Sequence, residues 1–254
     1  MCIIFLAYRC HPKYGLITAA NRDEFYKRPT EAAHFWKDEP CILAGRDLEQ
    51  MGTWMGITRT GRFAALTNYR NPAEMNKTDK QSRGHIVRSF LAGTETPLEF
   101  LTKLQQEKSA YKGFNLFVAD ESSLMYYSNI GDQIKKLTPG IYGLSNELLD
   151  TPWPKVEKGK QQLKQLLHHD LDPECLFKIL ADNDPAPEES LPQTGIPLDL
   201  EKKLSSIFIE SPDYGTRCST VLTIDNERNI HFIERTFPQS DGHEKEFTFQ
   251  LGEN

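Results

Sequence analysis

At 254 residues, 38% of them hydrophobic, the chain is near the upper size that one core supports, so one large globular domain spanning 1–254 is expected. Its 30 basic and 36 acidic residues leave a formal charge of −6, which excludes a general nucleic-acid or anionic-membrane binder, because either needs a basic face. No run reaches the roughly 18–20 apolar residues that cross a bilayer, so no integral membrane segment is expected, and five dispersed cysteines without a CxxC pair suit reduced thiols in a cytoplasmic setting.

The chain opens on Met1-Cys2-Ile3-Ile4-Phe5-Leu6-Ala7, which is apolar but has neither a basic leader nor a small-residue cleavage site. It reads as a buried strand over 3–9, paired with 16–21 around the turn-rich His11-Pro12-Lys13-Tyr14-Gly15. A second hairpin is expected at 54–59 and 62–69 around Thr60-Gly61. Helical periodicity follows at 81–91 and 97–107, the latter opened by Thr96, a capping residue, and Pro97 in the first turn. A third hairpin joins 114–119 to 124–128. Helices are then expected at 153–168, 173–181 and 198–209, with the proline-rich 183–197 as a connecting loop or a mobile cover. A fourth hairpin, 220–224 and 229–236, and a last strand at 246–251 complete the chain. Antiparallel hairpins with helices grouped in the middle point to an α+β fold, two packed sheets covered by helices.

Cysteine at position 2 is small enough for Met1 to be removed, which leaves a free α-amine beside the thiol. Such an amine titrates at about 7.7–8.0, so near neutral pH it can accept the thiol proton and act as the residue's own general base. If 3–9 pairs with 16–21, Cys2 falls opposite Arg22 and Asp23. A cation there favours thiolate, and Asp23 can hold the ammonium or orient Arg22. Elsewhere, Ser82-Arg83-Gly84-His85 near a helix start reads as an anion-binding site or as an ion-paired helix start. His168-His169 reads as a helix cap, and His11, His34, His231 and His243 lack ligand spacing, so no metal site is expected.

Asn21-Arg22-Asp23-Glu24 after an N-terminal Met-Cys strand resembles the NRDE family, also called the transport-and-Golgi-organisation family. Thr67-Asn68-Tyr69-Arg70, Ser82-Arg83-Gly84, Gly113-Phe114-Asn115-Leu116, Gly143-Leu144-Ser145-Asn146, Pro152-Trp153-Pro154-Lys155, Gly215-Thr216-Arg217 and Glu234-Arg235-Thr236-Phe237 extend the resemblance, in order, over nearly the whole chain. The resemblance implies a four-layer αββα sandwich of the N-terminal nucleophile hydrolase type, related to the choloylglycine hydrolase and penicillin acylase group of amidases. It assigns Cys2 as nucleophile, Asp23 to the amine, Asn68 to the oxyanion hole, and Asn146 and Arg217 to the amine or the substrate's polar end. Arg22, Tyr69, Arg70 and Arg83 are the substrate-binding candidates. The pattern departs at Ala20, where the amidase group has an arginine three residues before the aspartate. Arg22 stands next to Asp23 instead and points to the opposite face unless the strand is bulged.

Two functions follow as expectations. One is a cysteine hydrolase or acyltransferase acting on a small-molecule amide or thioester, with no cofactor required. The other is a binding or trafficking protein that uses the same pocket for haem or for a lipid- or coenzyme A-type ligand.

Overall fold

A computed structural model describes residues 2–74, 79–237 and 244–252. In chain order the strands are β1 (Cys2–Tyr8), β2 (Tyr14–Phe25), β3 (Thr30–Phe35), β4 (Ile42–Asp47), β5 (Met55–Thr58), β6 (Phe63–Asn68), β7 (Phe114–Ala119), β8 (Leu124–Ser128), β9 (Gln133–Lys136), β10 (Gly140–Leu144), β11 (Tyr214–Asp225), β12 (Asn229–Thr236) and β13 (Glu244–Gln250). The helices are α1 (Gly84–Ala92), α2 (Pro97–Gln106), α3 (Pro154–Leu166), α4 (Pro173–Leu180) and α5 (Leu198–Lys203). Among the described residues the strands form two sheets, one ordered β10-β1-β2-β11-β12-β13 and the other running consecutively from β3 to β9.

Three apolar layers define the stack. On β1 and β2 the side chains of Ile3, Phe5, Ala7, Ile17 and Ala19 pack outward against Leu163 of α3 and Leu176 and Leu180 of α4. The alternate residues Ile4, Leu6, Leu16 and Ala20 face inward and meet Leu43, Ile57, Phe63 and Phe117 of the second sheet. The far side of that sheet, including Ala64, Leu66, Leu116 and Val118, is covered by Ile86 and Phe90 of α1 and Leu101 of α2. The order is helix, sheet, sheet, helix: a four-layer αββα sandwich. Burial on both faces explains why Cys2–Tyr8 is apolar without alternation; the same pleat buries both residue sets.

Helix α3 lies close on β1, because a Cβ built on Gly159 would overlap the Phe5 ring. Helix α2 starts on the expected Thr96, whose hydroxyl accepts from Glu99 N while Glu99 reaches back to Thr96 N, a complete capping box.

The expected hairpins all form, but β3, β4, β9 and β10 were not foreseen. Strands β3 and β9 are short edge strands with charged, half-exposed residues, and β10 carries two glycines in five residues, so none shows a clean period. The helix expected over 198–209 stops at Lys203. Beyond it the backbone serves the first sheet instead: Ile207 O accepts from Asn21 Nδ2 at 3.0 Å, and Ile209 N donates to Thr216 Oγ1 at 2.9 Å.

Candidate active site

The β1–β2 ladder sets the centre. Cys2 pairs with Arg22, and on the other side of β2 the same Arg22 pairs with Cys218 of β11. Strand β2 runs regularly through Asn21, Arg22 and Asp23. The irregularity lies in β11, where Arg217 is an extra residue between Thr216, opposite Asp23, and Cys218. Regular alternation sends Arg22 to the inter-sheet side, with its guanidinium 4.3 Å over the Trp54 ring and its Nη1 3.3 Å from Thr30 Oγ1. Asp23 turns the other way, towards the helices, where Thr216 Oγ1 donates to its Oδ1 at 2.8 Å and Tyr214 OH donates to its backbone oxygen at 3.1 Å.

A cavity of about 470 Å³ opens at this end of the sheets. Cys2, Arg22, Asp23, Asn68 and Arg83 all line it. Arg83 caps α1 and its Nη1 donates to Gly113 O at 3.0 Å. Asn68 is the last residue of β6, half-buried, and its backbone oxygen accepts from Asn146 Nδ2 at 2.8 Å.

The remaining candidates stand behind or beside the cavity. Asn146 is fully buried and acts as a brace: Ser145 Oγ donates between Asn146 Oδ1, at 3.3 Å, and Cys2 O, at 3.4 Å. Tyr69 donates to Glu147 Oε1 at 2.6 Å, and burial together with that carboxylate pushes its phenol up to about 12. Arg70 is buried against Glu201 Oε2 at 2.6 Å, with its guanidinium 4.8 Å from the Trp153 ring. Arg217, expected at the substrate's polar end, instead donates from Nη1 to the carbonyls of Phe25 and Arg28, each at 2.9 Å. The bulge turns it out of the Cys2 cavity and into a separate one shared with Cys218 and Glu234.

Burial dominates the electrostatics of the centre. Burial is the largest influence on the Cys2 thiol and raises its pKa; the positive chain terminus opposes it most, Asp23 adds to the rise, and Arg22 and the Asp23 backbone N–H also act against it. Arg22 therefore does favour thiolate, but burial outweighs it and the resting thiol is protonated. Burial likewise raises Asp23, opposed by the positive chain terminus, Lys155, the Thr216 hydroxyl and Arg22.

Lys155 was not picked out as a site residue. It is 3% exposed, its Nζ donates to Leu204 O at 2.8 Å, and burial lowers its pKa to about 8. The signal was present: a lysine in the first turn of a helix, as in Trp153-Pro154-Lys155 at the start of α3, opposes the helix dipole. Such a residue needs a compensating negative partner.

Comparison with known proteins places the chain. The family model described as Transport and Golgi organisation 2 matches residues 1–239. The chain belongs to the Transport and Golgi organisation 2 family. It is 39% identical to the human Transport and Golgi organization protein 2 homolog, and 38% identical to the Bos taurus homolog; each match covers 95% of this chain and 95% of the relative. Among solved structures it resembles the C2A mutant of the conjugated bile acid hydrolase from Clostridium perfringens, with a TM-score of 0.54 at 7% identity, covering 100% of this chain and 94% of the other. At that identity the likeness shows the fold, which is that of the N-terminal nucleophile hydrolases. Among the described residues no helix is long and apolar enough to cross a membrane.

Proposed function

We propose that this member of the family is a cysteine N-terminal nucleophile hydrolase or acyltransferase acting on an amide or thioester, with Cys2 as nucleophile once Met1 is removed. The observation that carries the reading is the placement of Cys2 at the cavity wall with Asp23 and Asn68.

The steps follow from the groups present. The Cys2 amine takes the thiol proton as Sγ bonds to the carbonyl carbon, which suits a thiol that burial keeps protonated until substrate arrives. Asn68 donates to the oxyanion of the tetrahedral intermediate. The amine returns the proton to the leaving nitrogen or sulfur as its bond to carbon breaks. Water, or an acceptor, then cleaves the acyl-cysteine thioester by the same route. Asp23 holds the amine in position.

Of the second expectation, a binding or trafficking protein for haem or for a lipid- or coenzyme A-type ligand, haem carriage finds little support in the walls. Among the described residues lining the cavity, nine are charged, and Trp54 and Leu66 are the large apolar side chains. A porphyrin needs apolar contact on both faces, so these residues do not fit it. Charged walls suit a polar substrate better.

The test starts from the intact mass of the purified protein, which should lack Met1. A mass that retains Met1 leaves no free amine on Cys2 and overturns the mechanism. Incubation with a panel of acyl thioesters and N-acyl amides should then give an acyl adduct on the Cys2 peptide that is absent from Cys2→Ala. Adducts confined to the exposed Cys10 and Cys41 would count against the reading equally.

A further inference from the structure

Two cavities open at this end of the sheets, and one side chain faces both. The Cys2 cavity and a second one, of about 540 Å³, share Trp54 alone among the described residues that line them. The second is walled by Thr30 and Ala32 of β3, Cys218 of β11 and Glu234 of β12.

The strand pairing sets this division. Directly opposed residues on neighbouring strands face the same side of a sheet. Cys2, Arg22 and Cys218 therefore form a row across the first sheet, turned towards the second. Cys2 borders one cavity, Cys218 borders the other, and Arg22 stands between them. The Arg22 guanidinium lies 4.3 Å from the Trp54 ring and reaches Thr30 Oγ1, in the far cavity's wall, at 3.3 Å. The ring's outer edge rests on the second sheet, where a Cβ built on Gly45 of β4 would overlap its Cη2. That close approach gives a reason for a glycine in the middle of a strand. Arg22 and Trp54 together make a pillar from one sheet to the other.

The spaces on either side of the pillar differ in character. Among the described residues nine charged side chains line the Cys2 cavity; the second has four, and Ala32, Cys218 and Phe237 stand with Trp54 around it. An apolar chain gains more contact beyond the pillar than in front of it, so the acyl part of a substrate, rather than its leaving group, is the part aimed there.

We propose that Trp54 is a specificity-determining residue, the stop that fixes the longest acyl group accepted at Cys2. With the ring in place the chain ends at the pillar; with the ring removed the second cavity continues the first. The inference rests on the reading of Cys2 as nucleophile, and it adds what selects among acyl groups.

Alkyl methanethiosulfonates test the stop without turnover, because they form a mixed disulfide with a reachable thiol and release methanesulfinate. Methyl, butyl and octyl reagents are compared on the Cys2 peptide by mass spectrometry, with the exposed Cys10 as internal control. In Trp54→Ala the octyl-to-methyl rate ratio at Cys2 should rise by about tenfold or more, roughly what burying two further methylenes is worth, and Trp54→Phe should return most of that change. Should Trp54→Ala fail to fold, Gly45→Ala decides, since its methyl displaces the ring edge and should raise the ratio in the same direction. An unchanged ratio in the variant that folds overturns the proposal. A matching panel of acyl thioesters separates the two readings. A shifted disulfide profile without acyl adducts supports the stop and overturns the nucleophile. Acyl adducts on Cys2 with one length profile in every variant keep the nucleophile and overturn the stop.

Discussion

Cys2 sits directly opposite Arg22 in the β1–β2 ladder, and Cys218 sits opposite the same arginine from β11, so one arginine stands between two cysteines in the sheet. Its charge lowers the pKa of both, against the burial that raises both. Arg22→Gln should therefore push the Cys2 thiol further up and slow its alkylation at pH 7–8, measured peptide by peptide with iodoacetamide. Loss of the stacking on Trp54 should cost in addition about 0.5–2 kcal/mol of stability. A Cys2 rate that does not fall would show that the arginine serves packing alone.

Asn68 is the oxyanion donor in the proposed reaction. Asn68→Ala should lower kcat on a substrate identified by the adduct screen by about 10²–10³-fold, with KM little changed, as loss of one such donor does elsewhere. An equal loss in Asn146→Ala but none in Asn68→Ala would exchange their roles. Asn146 is expected to act mainly on stability, since it is buried and holds the Asn68 backbone oxygen.

Glu201 joins Arg70 to the proline-rich connection, because its Oε1 accepts from Thr194 N at 2.9 Å. Glu201→Gln takes the carboxylate from a buried guanidinium, and such a loss typically costs about 3–5 kcal/mol. Urea unfolding should show that loss, and limited proteolysis should cut within 183–197 faster than in wild type.

Glu234 gives a pH signature of opposite sense. Burial raises its pKa above the ordinary 4.5, so its contribution to stability is complete below about pH 4.5 and is lost as pH rises through the folded-state value. Glu234→Gln keeps an oxygen for the Ala33 N–H, which now bonds Glu234 Oε1 at 2.7 Å, and it removes the charge. Its stability at pH 7 should equal or exceed that of wild type, and the fall in stability above pH 4.5 should flatten in denaturation series between pH 4 and 8. A variant less stable at every pH would mean that the anion has a stronger partner.

The parts of the fold visible in the sequence were those with one dominant period or a strong turn. Strands β7, β8 and β12 match the expected bounds residue for residue: β7 and β8 are mainly apolar runs on either side of the Asp120–Ser123 turn, and β12 opens with alternating Asn229-Ile230-His231-Phe232 after the Asp225–Arg228 turn. Strand β2 was expected to end at Asn21 but runs on to Phe25, since pairing with β11 carries three charged residues within the sheet. Local propensity carries no trace of that. At the site, the Cys2–Arg22 pairing came directly from hairpin arithmetic. The displacement of Arg217 did not, because a bulge depends on how two distant strands meet. The first-turn position of Lys155 was visible, but its partner carbonyls at 204 and 206 were not, because they reach it only through tertiary contact.

The position of β1 has a consequence for biogenesis. The first strand made lies inside the sheet, between β2 and β10, and β2 is completed on its far side by β11. Residues 140–144 and 214–225 leave the ribosome long after the amino end has emerged. Strand β1 therefore gains its neighbour β10, and β2 its far neighbour β11, only after those later segments have been made.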